Sequence, residues 1–333
     1  MKHLISITLL SLSINAMAQG DITPDMLRKF ENETQLTAPE RAISNALAAG
    51  PVSGLALSQA NQVEQNTWFS HSVPSRGITN QNSSGRCWLF TGLNVLRAEM
   101  MNRHSLREME FSQSYLFFYD QLEKSNLFLQ AVIDTRDRPM DDQTVLWLFQ
   151  NPLSDGGTFT GVADLVSKYG LVPVGVMPDN YTAKNTSQFT TFLKRKLRED
   201  ALQLRADSKQ TTKQLQTMKE QQLAEIYKML RVGLGQPVQT FKWAPKDSDG
   251  RYVYEPEEFT PQSFYKKYFT ADLQQDFIML MNDPTRPYWK TYEIQYDRHT
   301  YDGHNWLYLN LPMDDIKQCA IQSIKDSTMM YFS

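Results

Sequence analysis

Between Asn80 and Arg97 the chain reads NQNSSGRCWLFTGLNVLR, and no other stretch restricts the fold as much. Leu89, Leu93, Leu96 and Met100 recur at i, i+4, i+7 and i+11, which is one apolar stripe of a helix facing a core. The polar and small residues in front of the stripe predict a loop. Gly85 lets that loop turn tightly into a helix beginning at Cys87. The sequence therefore fixes a thiol at the mouth of a core helix.

The chain holds two cysteines, enough for at most one disulfide. Cys319 lies in MDDIKQCAIQSIKD, where Met313, Ile316, Ala320 and Ile324 recur at helical spacing with Cys319 beside the stripe. A small buried hydrophobe is the expectation for it. Cys87 is then a free thiol, and a chemical role is the better explanation for it.

The N-terminus bears on compartment. Lys2 is followed by an apolar stretch from Leu4 to about Ile14 and by Ala16-Met17-Ala18, the small-x-small pattern of a cleaved secretory signal, with Gln19 as the new N-terminus. The stretch is too short to span a bilayer, and no other segment is long and apolar enough. The expectation is an exported protein, periplasmic or secreted. A formal charge of −3 over 333 residues gives no case for nucleic acid or an anionic membrane as partner.

After a polar lead-in (21–51) and an extended approach, WFSHSVPSRGITN, comes the Cys87 helix. FSQSYLFFYDQLEKSNLFLQAVI predicts a second helix with Ser112 as N-cap. NPLSDGGTF predicts a turn, and GVADLVSKYGLVPV a helix stopped by Gly170 and followed by a short strand. From about Thr190 to Leu234 the chain is charged, Gln-rich and helical in period, its charges forming a solvated face. Turns and aromatic strands then dominate, with Asp249-Gly250 as a hairpin signal. STMMYFS at the end predicts a strand.

A thiol is a useful nucleophile only as thiolate, and the unpaired N–H groups of a helix N-terminus favour the anion. Acyl transfer also needs donors for an oxyanion; the N–H of the nucleophile supplies one, and a side-chain amide such as Gln81 supplies another. Gln81-x5-Cys87-Trp88 is the papain-type layout. The longer string closely resembles the bleomycin hydrolase and aminopeptidase C branch of the papain-like (C1) cysteine peptidases. The likeness continues through EFSQSYLFFYDQLEKSNLFL, NPLSDGGTFTGVADLVSKYGLVP, KLREDALQLR, FTPQSFYKKY and YLNLPMDDIKQCAIQSIKD.

The resemblance implies an α+β papain-like fold with Cys87 as nucleophile, Gln81 in the oxyanion hole, and Gly156-Gly157 beside the substrate backbone. Many relatives carry Trp two residues after that glycine pair, where this chain has Phe159. It further implies peptide substrates cleaved from the N-terminus, no cofactor, and assembly into a hexameric barrel. Relatives are mostly cytosolic, so a signal sequence is a departure. The implied organisation is a signal peptide over 1–18 and an incomplete peptidase domain over 19–333. Within that domain, 60–185 form the helical half, 186–260 a helical insertion and 261–333 the start of a β-rich half.

One part of the machinery is missing from the sequence. The family's base and its orienting residue lie in a Thr/Gly-His-Ala segment and an Asn-Ser-Trp-Gly segment, and neither occurs here. His3 belongs to the signal, His71 precedes the active loop, and His104 ends the Cys87 helix. His299 and His304 are expected to be solvated turn histidines. The catalytic His and Asn are thus expected to lie beyond Ser333, leaving this chain with little activity of its own. The competing reading is a truncated paralogue serving as subunit or binding scaffold. A metalloenzyme is disfavoured, since there is no His-Glu-x-x-His and no paired-Cys spacing.

Overall fold

A computed structural model describes residues 20–63, 66–206, 210–246 and 249–332; the signal-peptide reading lies outside them. By contacts the chain divides into two compact units, Met1–Trp68 and Phe69–Ser333.

In the first unit, the segment expected to be a plain polar lead-in forms helices α1 (Pro24–Glu33) and α2 (Ala38–Ala49), followed by the short α3 (Val52–Leu55) and α4 (Gln59–Val63). The signals lie in Thr-Pro-Asp and Thr-Ala-Pro-Glu. Thr23 caps α1 by accepting from the Met26 N–H, and Thr37 and Glu40 cap α2 reciprocally, which ties up amides that would otherwise lack partners. Helices α1 to α3 bury no residue.

The second unit is built around α5 (Cys87–Arg103) and α6 (Gln113–Asp134). Leu89, Leu93, Leu96 and Met100 are each at most 1% exposed, and burial of such side chains contributes about 1.5–3 kcal/mol apiece. Phe90, Val95, Ala98 and Met101 are buried as well. A helix apolar on nearly every side sits inside its unit rather than on its surface. Ser112 caps α6 as expected, its hydroxyl accepting from the Tyr115 N–H at 3.1 Å.

Helix α7 (Gln143–Gln150) precedes the Pro-Leu-Ser-Asp-Gly-Gly turn, and α8 (Phe159–Tyr169) follows it. Gly170 ends α8 at φ +77°, a left-handed conformation that glycine adopts without a Cβ penalty. The expected strand after it is only extended chain: the Ser112 and Val174 N–H groups bond to the Val172 and Glu110 carbonyls, with a single bridge between Phe111 and Pro173.

After the single-turn α9 (Tyr181–Lys184), the charged stretch is two helices, α10 (Thr186–Ala206) and α11 (Thr212–Leu234). Both pack on α6. Leu193, Leu197, Ala201 and Leu204 on one and Ile226, Leu230 and Leu234 on the other are almost fully buried. Lys196, partly exposed, links the buried Asp200 to Glu225 on the outer face.

Strand β1 (Phe241–Trp243) pairs antiparallel with β2 (Glu257–Phe259), and Asp249-Gly250 turns the chain between them, with Val253 bonded back to Pro245. Helix α12 (Pro261–Tyr268) leads to a three-stranded sheet of β3 (Met279–Met281), β4 (Lys290–Ile294) and β5 (Trp306–Asn310). Its order is β3-β5-β4, with β3 parallel and β4 antiparallel to β5.

Helix α13 (Met313–Lys325) follows and buries no residue. The expectation of a buried Cys319 is therefore wrong: the side chain is exposed, because the apolar stripe of α13 is not covered by any described element. Residues 327–332 of the final STMMYFS form no strand either, Ser333 lying outside the described residues. Ser327 takes a positive φ of 56°, and Tyr331 lays its ring on Phe159 instead of pairing along a sheet edge.

Candidate active site

Cys87 is the first residue of α5, and its side chain is exposed. The N-cap residue, Arg86, makes no side-chain cap bond, so no capping side chain occupies the helix-start amides, and their partial positive charge lies at the thiol's end of the helix.

Arg86 instead anchors the loop. It is fully buried, its guanidinium forks onto Asp179 at 2.9 and 2.6 Å, and its Nε donates to the Ser84 hydroxyl at 3.0 Å. The Phe90 and Phe117 rings lie 5.0 and 5.8 Å from it. Burial alone raises the Asp179 carboxyl. Hydrogen bonds from Arg86 and Ser114 outweigh that and hold it below the usual carboxylate range.

Gln81 closes the turn ahead of this anchor. Its amide donates to the Ser84 carbonyl at 2.8 Å, and the Ser84 hydroxyl donates back to the Gln81 carbonyl at 2.6 Å. The predicted oxyanion donor is thus held on the Cys87 loop, with its amide directed at Ser84.

The glycine pair lies against the same loop. A Cβ on Gly85 would collide with the Asp155 carboxylate, and one on Gly157 would collide with Trp88. Gly85 is accordingly required for close packing rather than for an unusual dihedral, since its φ is not positive. Trp88, next to the thiol, donates its indole N–H to the Asp155 carbonyl at 2.8 Å. The structure thereby brings Cys87, Gln81 and Gly156-Gly157 into one region, on two loops that share Trp88. Phe159 is buried just beyond, its ring 5.1 Å from Phe277. A cavity of about 480 Å³ opens beside Gly156, between α6, α7 and residues 294–301.

The histidines fall into place differently from their expected roles. His304 does lie at a turn, largely exposed, its N–H bonded to Asp164 at 2.8 Å. His299 is not solvated. It is 2% exposed, its Nδ1 lies 2.6 Å from Asp120, and its ring centroid is 4.6 Å from Trp88. The cause is a buried carboxylate needing a donor and two glycines, Gly157 and Gly161, whose missing side chains leave room for the imidazole. Burial and the nearby Lys124 push His299 below the ordinary histidine range, while its Nδ1 faces the Asp120 carboxylate. Burial opposes ionisation of Asp120, but Lys124, at 3.1 Å, and the His299 bond keep the carboxyl below its usual range. Sequence reasoning missed this pair; the one available signal was an acid inside the otherwise apolar run YLFFYDQL. Among the described residues no histidine is hydrogen-bonded to Cys87.

The Peptidase C1-like family matches residues 21–333. Aminopeptidase G of Lactobacillus delbrueckii subsp. lactis is 35% identical over 313 residues, covering 94% of this chain and 71% of that protein. Bleomycin hydrolase of Homo sapiens is 38% identical over 274 residues, 79% of this chain and 60% of that one. Among solved structures, PepW from Lactobacillus rhamnosis HN001 superposes with a TM-score of 0.87 at 32% identity, over 93% of this chain and 70% of the other. The likeness in fold bears out the α+β, papain-like expectation. On the family match, the level of identity and the superposition together, the chain belongs to the Peptidase C1-like family of papain-like cysteine peptidases.

Proposed function

We propose that this protein is a cysteine aminopeptidase of the bleomycin hydrolase type, with Cys87 as its nucleophile. The observation that supports this most is the exposed thiol at an uncapped helix start, with a glycine pair packed beside it. The thiolate sulfur attacks the carbonyl carbon, and the electron pair moves to oxygen. The oxyanion is received by the Cys87 N–H and by the Gln81 amide once it leaves Ser84. Collapse expels the amine, which takes up a proton, and water hydrolyses the thioester. Gly156 and Gly157 hold the substrate backbone.

A base must generate the thiolate and protonate the leaving amine. His299 and His304 turn Nδ1 to Asp120 and Asp164, and among the described residues neither ring is hydrogen-bonded to Cys87, so neither is assigned as its base. The 333-residue chain alone is therefore proposed to be nearly inactive. A hexameric assembly and export belong to the same proposal, resting on the resemblance and on residues 1–18.

The test is hydrolysis of aminoacyl-aminomethylcoumarins by the protein expressed from its own gene. Release should require a free substrate α-amine, stop on thiol alkylation, and vanish in Cys87→Ala. Activity surviving that substitution overturns the assignment, and rapid turnover by the 333-residue chain overturns the inactivity. That no histidine is bonded to Cys87 among the described residues also favours a second reading, a non-catalytic subunit. Complete inactivity of every form of the protein, with peptide binding retained, would select it.

A further inference from the structure

The loop carrying the glycine pair is fastened to an unusual degree. Lys124 donates to the Ser154 carbonyl at 3.0 Å and to the Gly156 carbonyl at 2.7 Å, and Gln121 adds a bond to Ser154 at 3.3 Å. Trp88 holds the carbonyl between them, that of Asp155. The Gly156 N–H is taken by the Ser154 hydroxyl at 3.1 Å. Three successive carbonyls are thus drawn to side chains of α5 and α6. The N–H and C=O of Gly157 make no hydrogen bond among the described residues.

Beneath Gly157 lies His299, in the space a side chain there would need. It also lies against Gly161, the Trp88 ring and buried Asp120, and Asp120 bridges to the same Lys124 that holds the loop. Lys124 also sits 5.4 Å from the centre of the Trp88 ring. Two supports therefore converge on the residue next to Cys87: an imidazole that props the loop from below and an ammonium that ties it down.

We infer that Asp120, Lys124 and His299 are positioning residues, setting the height of the Gly157 peptide group relative to Cys87 so that a peptide bonded to Gly157 meets the sulfur. This rests on the reading that Gly156-Gly157 receives substrate backbone. None of the three touches substrate. Their action passes through the loop and Trp88.

The test compares two reagents on Cys87 of the 333-residue chain, in a Cys319→Ser background. Iodoacetamide reads thiol reactivity alone. A dipeptidyl chloromethyl ketone needs the loop as well: sulfur bonds to its methylene carbon, chloride leaves, and the thiol proton passes to solvent. In His299→Ala and Lys124→Met the peptidyl rate should fall roughly ten- to a hundredfold, the scale for misplacement by a fraction of an ångström to an ångström. The iodoacetamide rate should stay within about twofold of the parent, and His299→Asn, which keeps a donor for Asp120, should recover part of the peptidyl rate. Unchanged peptidyl rates in folded variants, judged by near-UV circular dichroism, overturn the inference, as does a parallel fall with both reagents. If the parent protein itself shows no preference for the peptidyl reagent, peptide recognition by the glycine pair fails, and the inference fails with it.

Discussion

Arg86→Ala offers a quantitative test of how the Cys87 loop is held. The substitution removes a guanidinium that is fully buried and leaves Asp179, whose side chain is 14% exposed, without its bidentate partner. Breaking a buried pair from one side costs about 3–5 kcal/mol, mostly because a charge is stranded. Asp179 retains some solvent and the Ser114 hydroxyl at 2.6 Å, so Arg86→Ala belongs at the low end of that range. Asp179→Ala strands an arginine with no exposure at all and belongs at the high end. The double variant should lose less than the sum of the singles.

The pH dependence carries a definite sign. The folded Asp179 carboxyl lies below its ordinary value, so its contribution is present above about pH 4 and lost as pH falls through the folded pKa. In Arg86→Ala burial dominates and the carboxyl rises, so acidification relieves the penalty. The stability gap between parent and variant, measured by urea unfolding with tryptophan fluorescence, should therefore narrow from pH 7 to pH 4. A gap that stays constant, or additive single-site losses, refutes the reasoning.

Other consequences are more direct. Both cysteines are exposed, so an aromatic disulfide reagent should titrate two thiols in the native protein, and Cys319→Ser should leave one; a single native thiol in the parent would restore the buried reading of Cys319. Gly161→Ala gains about 1 kcal/mol of helix propensity but drives a methyl into the His299 ring, an overpacking cost of about 1–3 kcal/mol. The net should be destabilising in thermal unfolding and become stabilising when His299 is also Ala. Burial pushes the phenols of Tyr115 and Tyr169 upward, so neither Tyr115→Phe nor Tyr169→Phe should reduce the phenolate absorbance developed by pH 11. A loss of one tyrosine's share in either variant contradicts their burial.

The parts of this fold that are local were readable from local pattern. The Leu89–Met100 stripe, the Ser112 cap and the Gly170 stop each depend on neighbours within a few turns, and each is in place. What escaped was decided by distant partners. Cys319 sits beside a convincing stripe, but a stripe predicts only a face able to be buried, not that a partner covers it. His299 was placed in a polar turn, and the turn exists; the carboxylate and the glycines that draw the ring inward lie far earlier in the chain. Gln81 was correctly put on the Cys87 loop, while the direction of its amide depended on Ser84, a competitor that spacing alone did not rank.

Asp120 and His299 are 179 residues apart in sequence. A growing polypeptide finishes α6, with Gln121 and Lys124 already at hand for one oxygen of Asp120, long before the segment bearing the imidazole exists, so the other oxygen gains its partner only late in synthesis. The space beside Trp88, Gly157 and Gly161 that His299 fills is thus closed only on the arrival of residues 297–304. A ribosome-bound intermediate ending before that point should admit water to the Trp88 indole, and in a variant keeping Trp88 as its one tryptophan the emission should remain red-shifted until the later segment docks.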